Sequence, residues 1–240
     1  WDRETTPQSR RSAAYARRFR QLEGLGLVYP CYCTRGELHA ASAPHGSDGT
    51  PVYSGRCRTL SAAERAAQTR PPAWRLIVPD AEIVVRDRLQ GEYRENLRQA
   101  CGDFIIRRSD GVYAYQLAVV TDDLESGVTE VVRGRDLLSS APRQSYEYSL
   151  FDAKAPEYCH VPLLVAPDGR RLSKRERDLE LGTLLAQLPA ERIVGALLAA
   201  CGVLDRFEPV CADEAAEAFS WARVRPEDIS IAEIAGHLGL

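Results

Sequence analysis

The run Asp168-Gly169-Arg170-Arg171-Leu172-Ser173-Lys174-Arg175 places four cations within six positions, directly after a tight-turn signal. In Pro167-Asp168-Gly169, Pro presets one backbone dihedral and Gly accepts the positive φ that tight turns require. The apolar run Val161 to Val165 before it reads as a short buried strand, and a helical pattern begins at about Asp178. Cations on a glycine loop near a helix start suit the negative charge that grows on a triphosphate as a phosphoanhydride bond breaks. A solvated basic surface loop would use the same residues. Of the 31 lysines and arginines only Lys154 and Lys174 are lysine. Arg cannot replace Lys where a compact point charge is needed, so Lys174 is singled out for a specific role and Lys154 is assigned to the surface.

A second chemistry is written in Cys31-Tyr32-Cys33 and, after a Gly/Ser/Pro/His-rich loop, Tyr53-Ser54-Gly55-Arg56-Cys57. Two thiolates one residue apart can share a metal, and a cysteine returning after a long loop makes the second half of a zinc clasp. Three cysteine ligands are clear. The fourth is open among Tyr53, His39 and His45, and buried free thiols would leave the same spacing. Such a site is structural: loop-rich segments bury too little apolar surface to hold themselves, and a crosslinking metal supplies the missing stability.

Seven cysteines, an odd number with a Cys-x-Cys pair, point to a reducing cytosol rather than a disulfide framework. A net charge of -3 gives no global attraction to nucleic acid, so an RNA partner would need a local basic face. There is no signal peptide and no apolar run of membrane-spanning length. The chain starts at Trp1 and contains no Met, so it is read as processed or as an excerpt.

These residues need elements to hold them. Residues 8–24 carry Ala13, Ala14, Tyr15, Phe19 and Leu22 at helical spacing, with Ser9 or Ser12 able to cap the start. Ser61-Ala62-Ala63-Glu64 is a capping box. Trp74 to Val78 and Glu82 to Arg86 read as strands around a Pro79-Asp80 turn. Gly102 to Arg108 reads as a strand, Ser109-Asp110-Gly111 as a hairpin turn, and Val112 to Val120 as a strand with Tyr113 and Tyr115 on one face. The apolar strand Val128 to Val132 ends in Arg133-Gly134-Arg135-Asp136, with Asp136 expected to cap the following helix. Charged residues at a strand-to-helix junction sit where open α/β sheets bind ligands. Residues 180–203 and 213–219 read as a helical tail.

The succession Gly102-Asp103-Phe104-Ile105-Ile106-Arg107-Arg108, Tyr115-Gln116-Leu117-Ala118-Val119-Val120, Asp122-Asp123, Val131-Val132-Arg133-Gly134-Arg135-Asp136-Leu137-Leu138 and Pro142-Arg143-Gln144 resembles class I glutamyl-tRNA synthetases. The basic loop is similar to that family's KMSKS signature, in the form Arg171-Leu172-Ser173-Lys174-Arg175. Within the superfamily, Cys31-x-Cys33 with Tyr53-x-x-x-Cys57 and the short tail resemble the glutamyl-queuosine tRNA(Asp) synthetases. The resemblance implies an α/β fold: a Rossmann-type catalytic domain (1–28 and 101–178), an inserted zinc-binding and accessory β element (29–100) and a short helical C-terminal part (179–240).

It further implies ATP-dependent activation of L-glutamate and transfer of the glutamyl group to queuosine of tRNA(Asp), by a cytoplasmic monomer. Tyr115 and Arg133 become contacts for glutamate, which agrees with the fit of an Arg fork to a carboxylate and of a phenol donor beside it. Arg171, Ser173 and Lys174 become ATP-binding, with Lys174 stabilising charge on the leaving pyrophosphate. Arg171 stands where the usual signature has its first lysine. Zinc is then held by Cys31, Cys33, Tyr53 and Cys57, and Mg²⁺ accompanies ATP. The family's first signature, a His-x-Gly-His-like element, has no counterpart upstream; His237-Leu238-Gly239-Leu240 resembles it only superficially. The chain is therefore expected to lack an N-terminal strand-helix segment. A fragment of an ordinary glutamyl-tRNA synthetase and a non-catalytic, zinc-stapled RNA-binding paralogue are the alternative readings.

Overall fold

The computed structural model describes residues 6–40, 52–172 and 181–240. After a 3-10 turn at Gln8–Arg10, helix α1 (Ser12–Gly24) buries Ala14, Tyr15, Phe19 and Leu22, one face at helical spacing. No side chain caps its start, contrary to the expectation for Ser9 or Ser12. The N-cap is Arg11, whose guanidinium is engaged by Asp122 at 2.5 Å and Glu125 at 2.8 Å. Strand β1 (Val28–Cys31), helix α2 (Arg35–Ala40), helix α3 (Ala62–Ala66) and strand β2 (Ala73–Leu76) follow. The capping box on α3 forms as read, with Ser61 and Glu64 satisfying each other's backbone N–H groups.

Strands β3 (Glu82–Asp87) and β4 (Gly91–Asn96) lead to helix α4 (Leu97–Ala100), strand β5 (Phe104–Arg107), helix α5 (Tyr115–Ser126), strand β6 (Glu130–Gly134), helix α6 (Ser140–Leu150) and strand β7 (Glu157–Val161). The short β8 (Leu164–Val165), helices α7 (Leu181–Leu185), α8 (Ala190–Ala200) and α9 (Ala212–Ala218), strand β9 (Ile229–Ser230) and helix α10 (Ile231–Leu238) complete the described chain. The strands form an antiparallel sheet β1-β2-β5, a sheet of order β4-β3-β7-β6, and a parallel pair β8-β9. In the first sheet Cys31 is opposite Ala73 and Leu76 opposite Phe104. Both strands expected around Pro79-Asp80 exist, but they belong to different sheets rather than to one hairpin.

One expectation fails outright. The segment read as a strand from Val112 to Val120 reverses at the Ser109-Asp110-Gly111 turn, makes a single antiparallel bridge between Arg107 and Tyr113, and then becomes α5 from Tyr115. Leu117, Ala118, Val120 and Thr121 are its buried residues, which is helical spacing. Leu, Ala and Gln are good helix formers, and the apolar run satisfied both templates. Asp122 is thus carried on a helix, where it accepts from Gln8, Arg11 and Tyr15. Asp136 does not cap a helix either. It lies inside a 3-10 turn, Arg135–Leu137, and α6 starts only after Ser139.

The chain divides into two compact units, Trp1–Arg86 with Glu92–Val131 and Ser139–Tyr158, and Asp87–Gly91 with Val132–Leu138 and Cys159–Leu240. In the first, Phe19, Leu22, Leu76, Leu97, Phe104, Ile106, Leu117, Val120 and Tyr148 make the main core. Glu147 is also fully buried there, and its carboxyl oxygens meet no hydrogen-bond partner among the described residues. Burial raises its pKa well above the ordinary 4.5. In the second unit, Ala196 and Ala200 of α8 pack with Ile229, Ile234 and Leu238. Gly195 admits the chain at Glu208 against α8: a methyl group there would lie 1.9 Å from the Glu208 carbonyl oxygen.

Two outcomes follow. Ala for Gly inside a helix ordinarily gains about 0.5–1 kcal/mol, but Gly195→Ala is expected to lower the unfolding free energy by about 1–3 kcal/mol through overpacking. A denaturation midpoint at or above wild type would contradict the close approach. An acid whose folded pKa is raised stabilises below its unfolded pKa and loses that contribution as pH rises. Wild type should therefore lose stability relative to Glu147→Gln as pH is raised from below 4.5, and pH-independent parity of the two melting curves would refute it.

Candidate functional site

The cysteine cluster is built by the first unit. β1 delivers Cys31 at its end, Cys33 follows two residues on, and Cys57 sits in a 3-10 turn, Arg56–Thr59. Their three Sγ atoms lie within 4.8 Å of one another, with Cys33 Sγ 3.5 Å from Cys57 Sγ. Tyr53 Oη completes the group, 3.4 Å from Cys31 Sγ and 4.0 Å from Cys33 Sγ, and it accepts from the Cys57 N–H at 2.9 Å. Tyr53 is placed by its backbone: its N–H donates to Cys101 O at 3.1 Å, and it bridges to Gly102. Gly102 has φ +64°, and a methyl group there would lie 2.2 Å from Tyr53 O, so only glycine lets the two segments meet.

Ligands at about 2.3 Å from a tetrahedral zinc stand roughly 3.5–4 Å apart. The separations of 3.4, 3.5 and 4.0 Å among these donors are close to that range, and all three Sγ atoms lie within 4.8 Å of one another. The side chains of His39 and His45, the other candidates for a fourth ligand, lie outside the described residues. Charge fits as well. Buried Arg75 places its guanidinium 3.6 Å from the centre of the Tyr53 ring while Nη1 donates to Asp103 O at 2.6 Å. Burial opposes ionisation of Cys31, but the charge of Arg75 and hydrogen bonds from Tyr53, Arg75 and the Cys33 backbone lower its pKa. Burial and the neighbouring thiols push Cys33 up to about 12 and raise Tyr53. Thiols this close cannot all ionise without a cation among them, and a divalent ion is the charge such a set calls for.

The second unit carries the other candidates. Arg133, near the end of β6, donates from Nε to His160 Nε2 at 2.9 Å and from Nη2 to Leu137 O at 3.3 Å. His160 is fully buried on β7, and its Nδ1 lies 2.5 Å from Asp87 Oδ2. Asp87 also accepts from the backbone N–H groups of Leu89 at 3.0 Å, Gln90 at 2.9 Å and His160 at 3.1 Å. Burial works against the Asp87 carboxylate, but these donors hold its pKa below the usual value. Burial lowers the His160 pKa, with Asp87 opposing and Arg133 assisting. An ionised carboxylate and a neutral imidazole follow.

Downstream, β8 pairs with β9, and Asp228 accepts from the Leu163 N–H at 3.0 Å and Arg135 Nη2 at 2.7 Å. The expected turn closes with Gly169 at φ +82°, and the Ala166 N–H donates to Arg170 O at 2.9 Å. Arg171 bridges back to Val165 and its guanidinium pairs with Asp136. Ser173 and Lys174 lie outside the described residues. Tyr115, in the first unit, is the first residue of α5 and is 49% exposed; Gln116 beside it is bonded to Ser140 and Gln144. His160, Asp87 and Arg75 were missed by sequence reasoning. The only signal was a histidine, one of four in the chain, directly before the apolar run Val161 to Val165; that run, expected as one buried strand, is divided between the last residue of β7 and the two-residue β8 and is only partly buried.

Residues 1–185 match the family described as tRNA synthetases class I (E and Q), catalytic domain. A glutamyl-Q tRNA(Asp) synthetase of Nitratidesulfovibrio vulgaris is 49% identical over 84% of this chain and 64% of its own length. Another, from Neisseria meningitidis serogroup C, is 43% identical over 92% of this chain and 72% of its own. The chain spans about three fifths of the first two relatives, at 64% and 58% of their lengths. The fold is similar to the crystal structure of a glutamate tRNA ligase from Elizabethkingia meningosepticum, with a TM-score of 0.76 over 98% of this chain and 54% of that one, at 23% identity. Among the described residues no helix is long and apolar enough to cross a membrane. By sequence and by fold, the chain belongs to the class I tRNA synthetases (E and Q), among the relatives of the glutamyl-Q tRNA(Asp) synthetases.

Proposed function

We propose that this protein activates L-glutamate with ATP and transfers the glutamyl group to the queuosine base of tRNA(Asp), acting as a monomer in the cytoplasm. The observation that carries the reading is Arg133, an arginine at a strand end whose guanidinium plane is held by His160 and Leu137, in a chain 43–49% identical to relatives named for that reaction. A planar fork of N–H donors is the group that grips a carboxylate. Tyr115 supplies a phenol for the same substrate. Ser173, Lys174 and Arg171 bind ATP, and Lys174 stabilises the charge on the departing pyrophosphate.

The chemistry needs no protein nucleophile. A carboxylate oxygen of glutamate attacks the α-phosphorus, the bond to the bridging oxygen breaks, and pyrophosphate leaves with the electron pair. The protein contributes positioning and charge stabilisation. Mg²⁺ accompanies ATP and neutralises phosphate charge. Zinc would be held by Cys31, Cys33, Cys57 and Tyr53 as a crosslink that stabilises the loops around it.

Glutamate-dependent ATP–pyrophosphate exchange by the protein at its full coding length tests the activity, and exchange with another amino acid but not glutamate would overturn it. Charging of tRNA(Asp) bearing queuosine, rather than tRNA(Glu), tests the acceptor. Arg133→Lys keeps the charge but loses the fork, so the glutamate KM should rise by about 10- to 100-fold; an unchanged KM would remove Arg133 from the substrate. Cys33→Ser should abolish a zinc content of about one per chain and lower the melting temperature. Unchanged metal stoichiometry would refute the clasp.

A further inference from the structure

We infer that His160 is a positioning residue for the amino acid substrate: fixed in one tautomer by Asp87, it orients the Arg133 guanidinium. The inference rests on the proposed role of Arg133 and adds to it the device that sets the arginine's geometry.

A buried imidazole can face its two neighbours in only a few ways. Asp87 Oδ2 lies 2.5 Å from Nδ1, and a carboxylate in the company of three backbone donors is an acceptor. Nδ1 therefore carries the proton. On the opposite edge, Nε2 meets an N–H of Arg133, a group that never accepts, at 2.9 Å. Nε2 receives that N–H and is the bare nitrogen, while the Leu137 carbonyl that also faces the imidazole takes its hydrogen bond from Arg133 Nη2. Both bonds require the same neutral tautomer, so Asp87, His160 and Arg133 form a line in which each donor and acceptor is assigned by the next. With Nε held by His160 and Nη2 bonded to Leu137 O, the plane of the fork is set at two points. A two-pronged grip on a carboxylate is lost by rotation of that plane, whereas a point charge would tolerate it.

The sequence separations bear on the purpose. Asp87 and His160 stand 73 positions apart, and His160 and Arg133 stand 27 apart. A lone arginine on a strand end would need none of this to remain in water. A fully buried histidine is costly unless bonded at both nitrogens, and here both bonds lead to the arginine or to what fixes it. The groups that face His160 are Asp87, Arg133 and the Leu137 carbonyl. Protonation of His160 would remove the acceptor and place a cation against a cation, and burial lowers its pKa from the ordinary 6.5, which defers that event to more acidic pH.

Three substitutions test the line in the full-coding-length protein, read by glutamate-dependent ATP–pyrophosphate exchange. His160→Ala removes the acceptor and should raise the glutamate KM by about 10- to 100-fold, the range for a hydrogen bond to a charged group, with much smaller changes in the ATP KM and kcat. His160→Gln can offer an oxygen to Arg133 and should recover most of the loss. Asp87→Asn keeps the size but can donate to Nδ1, which moves the imidazole proton to Nε2 and sets donor against donor; it should match His160→Ala. Wild type should show a rise of glutamate KM in acid as His160 protonates, and this rise should be absent in His160→Gln. Equal losses in both KM values and kcat for all three variants, or a wild-type glutamate KM in His160→Ala, would overturn the inference. Should His160→Ala not fold, the contrast between His160→Gln and Asp87→Asn decides. Imidazole ¹⁵N shifts separate the two readings: a proton on Nε2 or on both nitrogens at pH 7.5 in wild type overturns the tautomer line. Protonated Nδ1 and bare Nε2 with no glutamate-dependent exchange would overturn the proposed function instead.

Discussion

The bond between Asp87 and His160 is the constraint on which the second unit depends. Neither side chain sees solvent, and a buried carboxylate is among the more expensive groups a fold can carry. Its cost is offset by the N–H groups of Leu89, Gln90 and His160, which converge on it within 3.2 Å. That concentration of donors keeps the carboxylate ionised while the imidazole stays neutral, so the contact is a charge-assisted hydrogen bond rather than an ion pair. The arrangement holds together two strand ends that are far apart in sequence. The arginine at the end of β6 takes its direction from the same pair.

The cysteine cluster solves the opposite problem. At the Asp87–His160 pair, one charge is satisfied by dipoles; at the cluster, several groups that could become anions sit within hydrogen-bond distance of one another. Three thiolates and a neutral phenol around a divalent cation carry a net charge of about -1, and Arg75 offers one positive charge beneath the Tyr53 ring. At 5% exposure, Arg75 is partnered by the Asp103 carbonyl and the Tyr53 ring. The tyrosine is delivered by backbone contacts with Cys101 and Gly102.

What could be read from the sequence was whatever is local. Cys31 and Cys33 are two residues apart, the Asp168-Gly169 turn is contiguous, and Arg133 ends an apolar run; each stood out without knowledge of the fold. Tyr115 was read on a strand but lies on a helix, because Val112 to Val120 satisfies the alternating template and only the buried set Leu117, Ala118, Val120 and Thr121 shows the helical face. Asp136 had the type and position of a helix cap, yet a 3-10 turn intervenes and its carboxylate serves Arg171 instead. His160 and Asp87 could not be found locally. Their meaning lies in a pairing across 73 positions, and nothing in either one's neighbourhood points to the other.

The segment Val132–Leu138 connects these threads. Arg133 is held by His160, Arg135 by Asp228, and Asp136 by Arg171, so three successive charged residues each fasten the segment to a different part of the same unit. The three contacts differ in strength because they differ in burial. The first ends on a fully buried imidazole and resists rearrangement. The last joins a 69%-exposed arginine to a carboxylate, and an exposed pair of this kind contributes at most about 1 kcal/mol. Arg171 can therefore be drawn away from Asp136 at little cost, whereas Arg133 is fixed by His160. The segment is thus fixed at one end by a buried imidazole and at the other by an exposed ion pair with the second cation of the basic turn.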